Sequence, residues 1–113
     1  MHRKVLISLT FLLLLCSVQV LYAQYDDRSF TRYTVKDGLS DNSIQSIVQD
    51  DRGYIWIGTD GGLNRFDGNS FTKFYKAESP LNLLSASIWQ LKNFGHNEIG
   101  IVSRGGFQLL NTK

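Results

Sequence analysis

Between residues 43 and 75 the apolar positions alternate in short runs, and each run ends in glycine, aspartate or asparagine. In YIWIGT, residues 54–59, Ile55 and Ile57 fall on one side of an extended chain and Tyr54, Trp56 and Gly58 on the other. That period of two is what a strand in a packed sheet requires. SIQSIVQ, residues 43–49, forms the preceding strand and ends in the turn-forming Asp50-Asp51-Arg52-Gly53. Asp60-Gly61-Gly62 reverses the chain, because glycine reaches positive φ without a Cβ clash. Residues 63–66 run back, Asp67-Gly68-Asn69 makes the next reversal, and residues 71–75 complete a fourth strand. The pattern predicts four antiparallel strands joined by short turns.

The first 23 residues follow another rule. Basic His2, Arg3 and Lys4 precede an apolar run over 5–15 and a mixed stretch ending in Leu21-Tyr22-Ala23. A positive start, an apolar middle and a small residue before the cut predict a secretory signal peptide over 1–23. The competing reading is a single-pass anchor, but the run is broken by Ser17 and Gln19 and is short of the roughly 20 residues a span needs. Cys16 follows Leu15, where lipid attachment needs a small residue, which argues against a lipoprotein. Residues 24–113 hold no cysteine, and so no disulfide, metal thiolate or thiol nucleophile.

The strand pattern repeats. Shifted by 44 positions, residues 39–69 fall on residues 83–113 without a gap. Leu39 meets Leu83, Ser43 meets Ser87 and Ile44 meets Ile88. Ile55 and Ile57 meet Ile99 and Ile101, and Gly61-Gly62 meets Gly105-Gly106. SFTRY, 29–33, also resembles SFTKF, 70–74. A period of 40 to 50 residues with several short strands per unit predicts a β-propeller. In that all-β fold class, residues 24–113 supply a strand over 29–34 of a closing blade, one blade over 43–75, and a partial blade over 87–113. The partial blade has strands at 88–92, 98–102 and 107–110. Two incomplete blades leave faces and edges open, so the segment reads as the N-terminal part of a longer protein and is expected to fold poorly alone.

Charge excludes some partners. Of 12 lysines and arginines, Arg3 and Lys4 lie in the leader, which leaves 10 basic against 10 acidic residues. A neutral mature chain has no electrostatic reason to seek nucleic acid or an anionic membrane surface; membrane contact is expected only through the leader or a downstream helix. IGTDGGLN lacks the lysine and helix start of a phosphate loop. Asp60, Asn64 and Asp67 lack the spacing and terminal glutamate of a calcium loop, so turn chemistry is the better reading. Beyond the leader His96 is the one histidine, and no Ser/His/Asp set can be assembled around it. The acid pairs Asp26-Asp27 and Asp50-Asp51 lie in polar stretches and are expected to be solvated. No catalytic residue, metal or cofactor is expected. Trp56, Tyr54, Phe66, Phe71, Phe74 and Tyr75 occupy strand positions, where packing between blades competes with stacking on sugar rings. Trp89 matches Gln45 in the first unit, which marks it as specific to its own unit.

The stretches F-x-x-Y (Phe30, Tyr33), DGLS-x-N-S-I (37–44), Gln49-Asp50 and GYIWIGT-x-GGLNRFDG (53–68) together resemble the two-component regulator propeller family. The similarity is dense over 29–75 and looser over 81–113, where Gly100 and Val102 replace the expected Trp and Gly. The resemblance implies a periplasmic sensor of a hybrid two-component system in Bacteroidetes-type bacteria, anchored in the inner membrane. It implies tandem seven-bladed propellers, an immunoglobulin-like domain and a membrane helix, then a cytoplasmic kinase core, receiver and DNA-binding domain. It further implies sensing of oligosaccharides released from polysaccharides, with a non-catalytic role for this segment. Ligands of propellers gather at one mouth of the central channel. The loops placed there carry Asp37, Asp41, Asn42 and Asp60 in the first unit, with Asn82, Ser85, Trp89 and Arg104 in the second. Two other readings remain open: an exported propeller enzyme, a polysaccharide lyase or hydrolase with its catalytic residues beyond Lys113, and a scaffold propeller that binds proteins.

Overall fold

The computed structural model describes residues 1–23, 30–75 and 81–113, with side chains described over 1–16 and from residue 30 onward outside 76–80. Two units separate, residues Met1–Thr31 and Arg32–Lys113. In the first, α1 (His2–Ala23) spans the residues expected to form the leader. Val5, Leu6, Ile7, Leu9 and Phe11 are each more than half exposed, so the helix holds together by its own backbone bonds. No described helix is long and apolar enough to cross a membrane.

In the second unit the expected strands appear within a residue or two of their predicted ends, except that the first strand of the second blade runs three residues further. The first sheet has the order β1 (Ile44–Gln49), β2 (Ile55–Thr59), β3 (Leu63–Phe66) and β4 (Phe71–Phe74), all antiparallel. The second has β5 (Ile88–Gly95), β6 (Glu98–Ser103) and β7 (Gly106–Asn111). These are one four-stranded and one three-stranded blade of an incomplete propeller. The strand expected over 29–34 is not found in the described part. Residue 29 and the pair Asp26-Asp27 lie outside the described residues, and residues 30–34 pair with no strand. A strand is held by its ladder, and among the described residues this stretch has no ladder partner. Instead Thr34 caps a single 3-10 turn, Val35–Asp37.

Turn chemistry sets the strand lengths. The Asp67 carboxylate accepts from the backbone N–H groups of Asn69 and Ser70, both at 2.8 Å, and closes the β3–β4 reversal as an Asx turn does. Asp50 makes the same kind of turn before β2 but departs from expectation. It is buried, at 6% exposure, because its carboxylate accepts from the N–H groups of Arg52 and Tyr54 and from the Trp56 indole. A buried charge is stable only when so partnered. Asp51, its neighbour, stays exposed as expected.

The core lies between the blades. Trp56, Leu63 and Phe74 of the first sheet pack with Ile88, Leu91, Ile99, Ile101 and Leu110 of the second, joined by Leu83. Trp56 and Phe74 stack with ring centroids 5.7 Å apart. Gly58 permits the approach: a Cβ there would stand 2.5 Å from Ile88 Cγ2 and 3.1 Å from Ile88 Cβ. Polar contacts seal the seam. Leu91 N–H donates to Ser46 Oγ (3.0 Å) and Asn93 Nδ2 to Gln49 O (2.9 Å). Asn97 N–H donates to Asp51 Oδ2 (3.0 Å), and Arg52 Nη1 to Thr112 O (3.1 Å). On the other face of the first blade, Tyr33, Phe66 and Phe71 form an aromatic cluster. The outward face of the second blade leaves Phe94, Phe107 and Leu109 half exposed.

Candidate functional site

One end of both blades is built by a single set of hydrogen bonds used twice. Ile44 lies opposite Thr59 in the first sheet and Ile88 opposite Ser103 in the second. Just beyond these pairs Asp60 N–H donates to Ser43 O and Arg104 N–H to Ser87 O. Thr59 Oγ1 donates to Gly62 O at 2.9 Å, as Ser103 Oγ does to Gly106 O at 3.3 Å. Gly61 N–H donates to Thr59 Oγ1, and Gly105 N–H to Ser103 Oγ. Ser40 N–H donates to Asn64 Oδ1 and Leu84 N–H to Gln108 Oε1, each at 2.8 Å. Every pair is related by the shift of 44 residues.

The double glycine follows from this construction. The loop before each first strand lies directly on the first glycine: a Cβ on Gly61 would meet Asp41 Cβ at 3.0 Å, and one on Gly105 would meet Leu84 O at 2.7 Å. The second glycine turns the chain, with φ of 115° at Gly106, a conformation that side chains disfavour. In the second blade close approach and reversal are divided between Gly105 and Gly106, whereas a Cβ on Gly62 would also meet Phe74 O at 3.0 Å.

Sequence reasoning missed the polar lock beneath the loop. Asn64, Thr59 and Ser103 are all almost fully buried. Asn64 Nδ2 donates to Ser40 Oγ (2.8 Å) and to Ile57 O (3.2 Å). Since the Thr59 hydroxyl proton goes to Gly62 O, Ser40 is the donor across the 2.8 Å contact between the two hydroxyls. The signal was present in the repeat, where Thr59 matches Ser103 and Asn64 matches Gln108 at strand positions otherwise occupied by apolar residues.

The expected mouth residues divide into two groups. Asp37 accepts from Thr34 N–H (2.7 Å) and Thr34 Oγ1 (3.1 Å) in a capping box. Asn42 Oδ1 accepts from Val35 N–H (3.0 Å) and Asp41 Oδ1 from Ser43 N–H (2.6 Å). Ser85 Oγ accepts from Ser87 N–H, the second unit's version of the Asp41 contact. Asn82 adopts a left-handed turn with φ of 48°. The side chains of Asp37, Asp41, Asn42 and Ser85 hold loops. Asp60, Trp89 and Arg104 are exposed. Asp60 Oδ2 accepts from Gln45 Nε2 at 3.2 Å, whereas among the described residues the side chains of Trp89 and Arg104 make no hydrogen bond, ion pair or ring contact. Gln45 and Trp89 sit at the same bulge of β1 and β5, where the ladder register shifts. A bulge re-aims the side chain it carries.

Two cavities lie among the described strands. One, of about 180 Å³, opens between the blades beside Trp56, Arg65, Phe74 and Asn111. Another, of about 100 Å³, lies on the outward face of the second blade beside Lys92, Phe94 and Phe107. Among the described residues no three His, Cys, Asp or Glu side chains gather as a metal site.

Residues 38–61, the loop and hairpin just described, match the family described as two component regulator propeller. The chain is 46% identical over 56 residues to Histidine kinase P4 of Formosa agariphila, an alignment covering 50% of this chain and 4% of that protein. It is also similar to a crystal structure described as the extracellular domain of a hybrid two component system from B. thetaiotaomicron. There the TM-score is 0.65 and the identity 31%, over 72% of this chain and 12% of that one. The chain thus spans a small fraction of the length of both relatives.

Proposed function

We propose, for a chain whose residues 38–61 match the two component regulator propeller family, a non-catalytic part in oligosaccharide sensing. On this reading the leader directs export and is cut after Ala23. The two blades join others in a propeller outside the cytoplasm, and occupation of the mouth is signalled to a histidine kinase region elsewhere in the parent protein. The likeness to the extracellular domain of a two-component system supports the location.

The observation that carries the reading is the repeated frame. Corresponding amide and hydroxyl contacts fix the loops expected at the mouth in both units, while the side chains presented there differ: Gln45 and Asp60 in one, Trp89 and Arg104 in the other. A rigid frame with variable presented residues is what a recognition surface needs, since binding then costs little loop ordering. Sugars suit such a surface, having hydroxyls for polar loop side chains and an apolar ring face for an aromatic one.

Calorimetric titration of the full exported region of the protein carrying this chain, against neutral and acidic oligosaccharides, tests the proposal. Saturable binding of at least one is expected. Heats indistinguishable from dilution across the panel would remove the reading.

A further inference from the structure

We infer that Trp89 and Arg104 form a subsite for an anionic pyranose, the indole stacking on the ring and the guanidinium binding its acidic group. The inference rests on the oligosaccharide reading and gives it a chemical class.

Placement brings the two residues together. Arg104 N–H donates to Ser87 O and Ser103 lies opposite Ile88, so Arg104 stands one step outside that pair and Trp89 one step inside it, the two positions whose first-blade equivalents, Asp60 and Gln45, are in side-chain contact. Trp89 is 53% exposed, although an indole loses favourable burial by facing water. Its bulge position is not forced by the residue, because Gln45 occupies the same bulge in the first blade. Arg104 likewise spends its side chain on nothing in the fold.

The first blade supplies the contrast. There the corresponding residues satisfy each other, Gln45 Nε2 donating to Asp60 Oδ2. In the second blade the corresponding pair cannot: indole and guanidinium are both donors without an acceptor. The missing partner is an acceptor, and a guanidinium fork fits a carboxylate or a sulfate through two parallel N–H bonds. Asp60 holds the equivalent position on the neighbouring blade, so its negative charge disfavours an anion on that side. The mouth therefore has a direction, with the acidic group at Arg104.

The test measures binding of a uronate oligosaccharide, a sulfated oligosaccharide and a neutral one to the full exported region carrying Arg104→Gln, Arg104→Lys or Trp89→Ala. Arg104→Gln is expected to weaken the acidic ligand by about ten- to a hundredfold and to weaken a neutral ligand by a smaller factor. Arg104→Lys should restore part of the loss, and Trp89→Ala should weaken every ligand that binds. The uronate and sulfate arms show which anion the fork takes. Equal affinity of wild type and Arg104→Gln for every acidic ligand would overturn the inference. So would binding of neutral oligosaccharides alone, which would leave the sensing proposal standing. Binding of no oligosaccharide would remove both.

Discussion

The Trp56 indole N–H donates to Asp50 Oδ2 at 2.8 Å, and both residues are buried. One carboxylate thus ties the turn before β2 to the largest side chain of the inter-blade core. In the second blade the corresponding residues are Phe94 and Gly100, and the bond is replaced by packing: a Cβ on Gly100 would lie 2.4 Å from Phe94 Cε2. The ring fills the space that loss of the tryptophan would leave empty.

Asp50→Ala strips acceptors from three donors, two on the backbone and one on the indole. The expected loss is about 3 kcal/mol, the scale of hydrogen bonds to a charged group with buried donors left unpaired. Trp56→Phe, which retains a ring but removes one donor, should cost less. Urea unfolding midpoints at constant slope would show the order.

Gly58→Val drives a side chain into Ile88 and Leu91 and should destabilise by about 1–3 kcal/mol, the range for overpacking. Ile88→Ala alone should cost about 2–5 kcal/mol as a cavity. Combined, the two changes should cost less than their sum, since each relieves the other. Strict additivity in a double-mutant cycle would show that the blades do not meet here.

Asn64→Leu removes the lock beneath the 39–43 loop, leaving Ser40 N–H without its acceptor and Ser40 Oγ with Thr59 Oγ1 alone. Amide exchange should rise first over residues 39–43 and change little in β6. Uniform protection in the variant would place the loop's stability elsewhere.

Acid should weaken the seam. The Asn97 N–H, and after it the Asn93 side chain, hold the Asp51 carboxyl below the ordinary carboxylate range. Ser70 and Asn69 N–H groups do the same for Asp67. A lowered folded-state pKa stabilises fully above the unfolded value and is lost as pH falls through the folded one. Melting temperature should therefore be flat near neutrality and drop below about pH 4. The drop should be shallower in Asp51→Asn; an unchanged acid limb would exclude Asp51 as a contributor.

The blades were legible because Ile55, Ile57, Ile99 and Ile101 keep a period of two and Gly61-Gly62 recurs as Gly105-Gly106. Trp56 could be read as core for the same reason. Asp50 could not, because its burial depends on a tryptophan six residues on turning back to meet it. The role of Gly58 was equally hidden, since the contact it permits is with the other blade. Among the residues expected at the mouth, the linear pattern did not show which side chains the fold employs. Asp37, Asp41 and Asn42 look like Trp89 and Arg104 in a linear reading, and only their hydrogen bonds separate loop-holding side chains from free ones.

Autophosphorylation of the full-length protein in membranes, with graded oligosaccharide supplied on the sensor side, tests the account most directly. Phosphate incorporation is expected to change saturably with the ligand that binds the exported region, and Trp89→Ala is expected to move the midpoint to higher concentration. Incorporation that ignores every oligosaccharide, while the kinase remains active, would contradict the account.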